Sequence, residues 1–210
     1  MKLILCDQNP ATLDAWRSQF QKRPEVEVRS EDILETAADA IVVPGNSFGF
    51  LDSGLGLRVS NAYGWGIQDE IRRRIDEDLD GELLVGEALV LRQPAFPRAI
   101  VYAPIWRTPR RLEGTVNVFL AVRGALLAVA KDAAPPPLEA VALPPLGLDE
   151  GEIHPHTSAR QIRYAYEIVT GQRGRRVKNL SQQTRRERKL VSVPKGALEG
   201  GEGDEEDVDG

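Results

Sequence analysis

The chain has 210 residues, 41% hydrophobic and 28% charged, so it can form one domain with a full core but has little room for a second. Its net charge of −5 argues against strong non-specific binding of nucleic acid, and its single cysteine excludes an intramolecular disulfide. No apolar run approaches the roughly 20 residues that span a bilayer. The opening "MKLILCDQNP" is too short for a signal peptide, so we expect a cytoplasmic protein without membrane contact.

The first part of the chain alternates short apolar runs with helical patterns. Lys2–Cys6 is a predicted buried strand, and the segment after Asn9-Pro10 carries apolar residues at helical spacing. Further strands are predicted at Val26–Val28 and at Asp39–Val43, where Pro-Gly ends the apolar run. Isoleucines at four-residue steps then predict an amphipathic helix over residues 66–79.

The second part of the chain continues the alternation. Two strands are predicted at residues 87–92 and 99–105, and a long apolar helix at 114–130. A strand closed by prolines follows at 139–146, and a last helix at 157–171 ends with a glycine. Because strands alternate with helices, the sequence predicts an α/β fold, a three-layer α/β/α sandwich with a mixed or mostly parallel central sheet.

The composition changes after about residue 180. Residues 181–210 contain five Lys or Arg and eight Asp or Glu, a net charge of −3. They have too few apolar residues to offset the entropy of ordering. The sequence therefore predicts a domain at 1–180 and a charged, disordered tail at 181–210, which serves solubility or contacts a protein partner.

The segment "AIVVPGNSFGFLDSGLG" leaves a buried strand and enters a glycine-rich loop, Pro44–Gly56. Ligands of open α/β sheets bind at the carboxyl ends of strands, and the backbone N–H groups of such a loop suit a pyrophosphate. The loops at 103–109 and 143–157 also follow strands. The glycine spacing matches neither a P-loop nor a Rossmann fingerprint. Asn46 either hydrogen-bonds a sugar hydroxyl of a ligand or caps the turn, with its side chain hydrogen-bonded to the local backbone.

Three blocks of sequence, taken together, resemble the macro domain, the ADP-ribose-binding α/β/α module. In the first, "EDILETAADAIVVPGNSFGFLDSGLG", Asp32-Ile33 precedes Asn46 by fourteen residues, as in that family. The others are "APIWRTPRRLEGTVNVFLAVRGALLAV" and "LPPLGLDEGEIHPHTSARQIRYAYE". The blocks cover about residues 30–170 and look most like the tail-type macro domains of phage and bacteria.

The resemblance implies roles at the base and ribose ends of such a ligand. Asp32 would accept a hydrogen bond from the exocyclic amine of adenine, and Ile33 would lie beside the ring. Asn46 would hydrogen-bond the distal ribose. The residues by themselves leave a second interpretation open, in which Asp32 caps a helix or turn while Ile33 and Leu55 belong to the core.

The resemblance also implies two loops around the phosphates. Backbone groups around the distal ribose and phosphates would come from Ser53, Gly54 and Leu55. The second, diphosphate-facing loop would consist of Gly147, Leu148, Asp149, Glu150 and Gly151.

Two departures from the family pattern bear on function. Macro-domain hydrolases place an aspartate ten residues after the asparagine, where this chain has Gly56, with Asp52 four positions earlier as a candidate base. In the second loop Asp149 and Glu150 bring negative charges, which oppose a diphosphate if they point inward. The residues that could offset these negative charges with positive charge are Arg107, Arg110, Arg111 and His154.

Three functions follow as alternatives. The chain binds ADP-ribose or an ADP-ribosylated macromolecule in a cleft between the Asn46–Gly56 and Gly147–Gly151 loops. Alternatively it hydrolyses an ADP-ribosyl bond, with Asn46 and Asp52 as catalytic residues, or it is an interaction protein that retains the fold without the ligand. We expect no cofactor and no metal, since one cysteine and two histidines offer few zinc ligands. Cys6 is expected to be a small buried residue, not a nucleophile.

Overall fold

The structure is a computed structural model that describes residues 1–92, 98–149, 151–174 and 177–193. The strands in the described chain are β1 (Lys2–Cys6), β2 (Val26–Arg29), β3 (Ala40–Asn46), β4 (Leu89–Leu91), β5 (Ala99–Trp106) and β6 (Ala140–Leu143). The helices are α1 (Pro10–Phe20), α2 (Gly54–Tyr63), α3 (Gly66–Asp78), α4 (Asn117–Lys131), α5 (Pro155–Val169) and α6 (Leu180–Val191).

The strands form one sheet in the order β2-β1-β6-β3-β5-β4. All neighbouring strands pair in parallel except β4, which runs antiparallel to β5 at one edge. Near-continuous apolar runs such as Ile41–Val43 are buried because helices cover both faces of the sheet. The predicted α/β fold with a mixed central sheet is confirmed.

Two apolar cores lie on opposite faces of this sheet, and alternate residues of each strand contribute to them. In β1, Leu3 and Leu5 join the core formed with α1, α4 and α5, while Ile4 joins the core formed with α2 and α3. The α3 isoleucines, buried at four-residue steps, fill the second core as the sequence predicted. The helices therefore form the outer layers of a three-layer sandwich.

Two helices of the structure, α2 and α6, were not predicted from the sequence. Helix α2 begins at Gly54, so the last residues of the predicted glycine loop form the first turn of a helix. Helix α6 occupies Leu180–Val191, so the segment predicted to be a disordered tail begins with a helix. Its Asn179 side chain caps the helix, accepting from Gln182 N at 2.9 Å, and Leu190 is buried. The 180/181 division otherwise stays a prediction, since residues 194–210 lie outside the described residues.

The buried carboxylate of Glu167 connects α5 to the segment after α1 and to the segment that follows α5. Glu167 is 2% exposed and accepts hydrogen bonds from Arg23 at 2.9 Å, Arg163 at 2.8 Å and Arg173 at 2.9 Å. Burial by itself raises the pKa of Glu167, but these hydrogen bonds outweigh it and lower the pKa to about 2. The ionised carboxylate thus stabilises the fold above its ordinary pKa of 4.5.

Replacing this carboxylate by an amide should destabilise the protein in a pH-dependent way. Glu167→Gln leaves three arginines around a neutral group, so we expect a loss of about 3 kcal/mol in the free energy of unfolding at pH 7. The difference in unfolding free energy between wild type and variant should shrink as the pH falls from 4.5 toward 2. In this range Glu167 of wild type takes up a proton in the unfolded chain before it does so in the folded protein. Urea unfolding at pH 7 and pH 3 measures both. Glu77→Gln, at an exposed carboxylate paired with Arg73, is the control; an equal loss in the two variants contradicts the prediction.

Candidate functional site

A cavity of about 550 Å³ lies at the carboxyl ends of the parallel strands. It is bounded by the segment after β1, the turn after β2, the β3–α2 connection, the end of β5 and the loop after β6. The predicted site residues that line it are Asp32, Ile33, Asn46, Asp52, Ser53, Gly54, Leu55, Gly147, Leu148, Asp149 and Gly151. Glu150 lies outside the described residues. The fold therefore brings the three sequence blocks to one cavity, and the role of each residue toward a ligand stays a prediction.

The floor of the cavity is fixed where β3 leaves the sheet. The pairing of β3 with β5 shifts by one residue between Gly45 and Asn46, which is a bulge. There the buried Tyr102 hydroxyl accepts from Asn46 N at 3.0 Å and donates to the Asn46 carbonyl at 2.6 Å. A Cβ at Gly45 would lie 2.3 Å from this hydroxyl oxygen, so the close approach requires glycine. Burial raises the pKa of Tyr102 far above its usual range, and the hydroxyl stays protonated.

The Asn46 side chain folds the start of the glycine loop. Its Oδ1 accepts from Phe48 N at 3.0 Å and Phe50 N at 3.4 Å, and its Nδ2 donates to the Phe50 carbonyl at 3.0 Å. The turn-capping interpretation of Asn46 is therefore what the structure shows. An amide NH₂ has a second hydrogen, so Nδ2 keeps one donor for a ligand in the cavity that the residue lines.

The N-terminus of α2 opens onto the same cavity. Ser53 is the N-cap residue, and within the described chain its side chain makes no capping hydrogen bond. The N–H groups of the first helical turn have no partners inside the helix and carry its positive dipole end. Since Gly54, Leu55 and Gly56 line the cavity, this turn can receive an anion. A Cβ at Gly56 would lie 3.0–3.3 Å from Leu51, so an aspartate there would be crowded.

The loop after β6 forms the opposite wall. Gly147 has φ +71°, a left-handed conformation, and its carbonyl accepts from Ile153 N at 2.8 Å, closing the loop on itself. The Leu146 carbonyl accepts from the Ser158 hydroxyl at 2.7 Å, which anchors the loop to α5. Asp149 lines the cavity but is exposed, so water screens much of its charge.

Asp32 lines the cavity and is held from two sides. Its Oδ1 accepts from Leu34 N at 2.9 Å, the turn-capping arrangement that the sequence left open. Its Oδ2 pairs with the guanidinium of Arg58 from α2. Ile33 beside it is 5% exposed and packs in the core under α2 and α3 while lining the cavity.

The four cations considered as compensation are not among the described residues that line the cavity. Arg107 pairs with Glu82 at 2.8 Å, and Arg111 pairs with Glu152 at 2.7 Å. Arg110 is exposed, and His154 caps α5, its Nδ1 accepting from the next-but-one backbone N–H at 3.3 Å. Burial, followed by the neighbouring imidazole of His156, lowers the pKa of His154, which favours its neutral form.

Cys6 also lines the cavity, at the end of β1. Its Sγ lies 3.1 Å from the Thr36 hydroxyl, and the residue is 2% exposed. Burial raises the pKa of the thiol to about 11, so it is not a thiolate near neutral pH. The structure agrees with the interpretation of Cys6 as a small buried residue.

No protein family model matches the chain, and no curated protein matches it significantly. Solved structures are similar to it. The macrodomain of Mycobacterium tuberculosis DarG is 19% identical, with a TM-score of 0.56 over 67% of this chain and 89% of its own. The Oceanobacillus iheyensis macrodomain with ADP is 17% identical, with a TM-score of 0.54 over 67% and 72%. Thermosipho africanus DarTG in complex with ADP-ribose is 13% identical, with a TM-score of 0.53 over 78% and 50%.

This likeness defines the fold. Because the identities are below 25%, the likeness assigns no role to individual residues. It agrees with the six-stranded mixed sheet between helical layers. The chain therefore has the macrodomain fold, which its sequence blocks predicted.

The sequence reasoning missed two residues of the site. Tyr102 lies within a buried strand, where its sequence context is that of an ordinary aromatic core residue. Nothing in that context indicates a role for its hydroxyl. Arg58 lies 26 residues after Asp32 and two residues beyond the predicted glycine loop. The sequence contains no signal for the pairing of Tyr102 with Asn46 or of Arg58 with Asp32, because only the fold brings these elements together.

Removing the Tyr102 hydroxyl should loosen the cavity floor. Tyr102→Phe removes the acceptor of the Asn46 N–H and the shorter of two hydrogen bonds to the Asn46 carbonyl, which also accepts from Gly49 N at 3.5 Å, so we expect a loss of about 1–3 kcal/mol in the free energy of unfolding. Chemical unfolding measures it, with Tyr63→Phe, on α2 outside the cavity lining, as the control. Equal stability of Tyr102→Phe and wild type would contradict this role.

Proposed function

We propose that the cavity binds ADP-ribose or an ADP-ribosylated ligand. The observation that carries the proposal is the convergence of three distant sequence blocks, each resembling a macro-domain motif, on one cavity of a macrodomain fold. A cavity of about 550 Å³ lies within the range of small-molecule sites. Two structures with the same fold are described with ADP and with ADP-ribose, which supports the choice of ligand.

The proposed placement follows the chemistry of the walls. Asp32 would accept from the adenine amine, beside Ile33. The diphosphate would lie between the first turn of α2 and the Gly147–Gly151 loop, where backbone N–H groups offer donors without the cost of moving a side chain. The second Nδ2 hydrogen of Asn46 would reach the distal ribose.

The binding test compares wild type with Asp32→Ala by isothermal titration of ADP-ribose. Losing a charged hydrogen-bond acceptor should weaken binding by about tenfold or more. Asp14→Ala, an exposed aspartate on α1 outside the cavity lining, should leave the affinity unchanged. Wild type that gives no heat at millimolar ADP-ribose would refute the proposal and favour the third alternative, a fold that serves protein interaction.

A second candidate is hydrolysis of an ADP-ribosyl bond, and the position of one residue favours it. Asp52 is an exposed carboxylate that lines the cavity on the same loop as Asn46. It would act as general base for a water molecule, a role worth about 10² to 10⁴ in rate.

The turnover test measures release of ADP-ribose from an ADP-ribosylated substrate. If Asp52 is the base, Asp52→Asn should reduce the rate by about 10² or more while ADP-ribose affinity stays within threefold of wild type. Asp69→Asn, at an exposed aspartate of α3, is the matched control. No release by wild type would leave binding as the function, and equal release by Asp52→Asn would exclude Asp52 as the base.

We further propose the remaining biological setting on the sequence alone. The chain would belong with the phage and bacterial tail-type macro domains, act in the cytoplasm on an ADP-ribosylated macromolecule, and use its C-terminal segment for a protein contact. The structure adds that none of its described helices combines the length and apolar character needed to cross a membrane.

A further inference from the structure

We propose that Arg58 determines the ligand specificity of the cavity by exchanging partners, from the Asp32 carboxylate to the diphosphate of a bound nucleotide. The inference rests on the proposed function, since it concerns how the same cavity selects its ligand. When Arg58 turns to the diphosphate, Oδ2 of Asp32 becomes available to the amine of the base. One guanidinium thus links recognition of the two ends of the ligand.

The position of Arg58 on α2 allows both contacts. Arg58 lies four residues after Gly54, so the two occupy the same face of the helix. Side chains on a helix lean toward its N-terminus, which here is the turn that opens onto the cavity. The guanidinium therefore reaches the anion position at that turn as well as Asp32, with which it pairs in the structure.

The charges around the cavity show why this cation matters. Among the described lining residues one cation, Arg58, faces five carboxylates, those of Asp7, Glu31, Asp32, Asp52 and Asp149. A diphosphate brings further negative charge to a site that already has a formal excess of four. An arginine binds phosphate oxygens through two parallel hydrogen bonds, which makes it the appropriate compensating group.

The two members of the ion pair differ in how firmly they are held. Asp32 is fixed by its turn, because its Oδ1 accepts from Leu34 N at 2.9 Å and its carbonyl accepts from Glu35 N at 3.0 Å. The Arg58 side chain is 51% exposed, and ion pairs at this exposure contribute little stability. Arg58 is therefore the member that moves, and leaving Asp32 costs little.

The exchange favours ligands that carry both a base amine and a diphosphate. A nucleoside without phosphate gives Arg58 no new partner, so it must compete with the guanidinium for Asp32. Inorganic pyrophosphate draws Arg58 away but leaves Oδ2 of Asp32 without its partner. A nucleoside diphosphate or its esters satisfy both groups, and this is the ligand class that the geometry selects.

The experiment compares Arg58→Gln with wild type for ADP and adenosine, by titration and competition. We expect ADP affinity to fall about tenfold or more, as for loss of a charged hydrogen bond. Adenosine should bind the variant as well as wild type or better, because Asp32 is released. Arg17→Gln is the matched control, since Arg17 also forms an exposed pair, with Asp14 at 3.2 Å, outside the cavity lining.

A second measurement is independent of how weakly adenosine binds. The Arg58 Nε–H resonance, assigned by comparison with Arg58→Gln, should shift on adding ADP or pyrophosphate, because either ligand gives the guanidinium a new partner. An unmoved resonance at saturating ADP, a gain in ADP affinity in Arg58→Gln, or equal losses for ADP and adenosine would each overturn the proposal. Wild type that binds neither ADP nor ADP-ribose would instead refute the proposed function itself.

Discussion

The contact between the Tyr102 hydroxyl and the backbone of Asn46 is the one on which the rest of the site depends. After Gly45 the β3–β5 ladder shifts register, and at this point the phenol hydroxyl hydrogen-bonds both the N–H and the carbonyl of Asn46. Gly45 permits this because any side chain would meet the tyrosine. With its backbone held here, the Asn46 side chain hydrogen-bonds the loop backbone at Phe48 and Phe50, four residues before α2 begins.

The position of α2 matters because, among the described residues that line the cavity, Arg58 is the one cationic side chain. The cations near its mouth are paired with carboxylates on the outside, Arg107 with Glu82 and Arg111 with Glu152. Arg107 also lies over the ring of Phe48, at 5.1 Å, so aromatic packing holds it in place as well. Anion binding then relies on backbone dipoles, chiefly the first turn of α2, and on Arg58 one turn further along.

Sequence patterns predicted the parts of this molecule that follow from local rules. The apolar runs gave the buried strands, the four-residue isoleucine steps gave α3, and the resemblance of three blocks gave the fold and the segments around the cavity. They did not predict α2, because its first turn contains two glycines, which have low helix propensity and are typical of loops. They did not predict α6 either, whose polar sequence buries Leu190 alone. Partners such as Tyr102 with Asn46 are 56 residues apart, a distance at which no local pattern operates.

Asn46 shows why a predicted residue can be in the right place for more than one reason. Its amide is a loop organiser through three hydrogen bonds and at the same time a cavity residue with one donor to spare. A change at Asn46 therefore disturbs the loop and any ligand contact together, and a loss of affinity alone does not separate them. The two effects can be separated by comparing the affinities of two ligands. A loosened loop weakens ADP and ADP-ribose alike, whereas a lost ribose contact weakens only the ligand that carries the distal ribose. Asp32 also combines two roles, as a turn cap and as a cavity carboxylate, in one side chain.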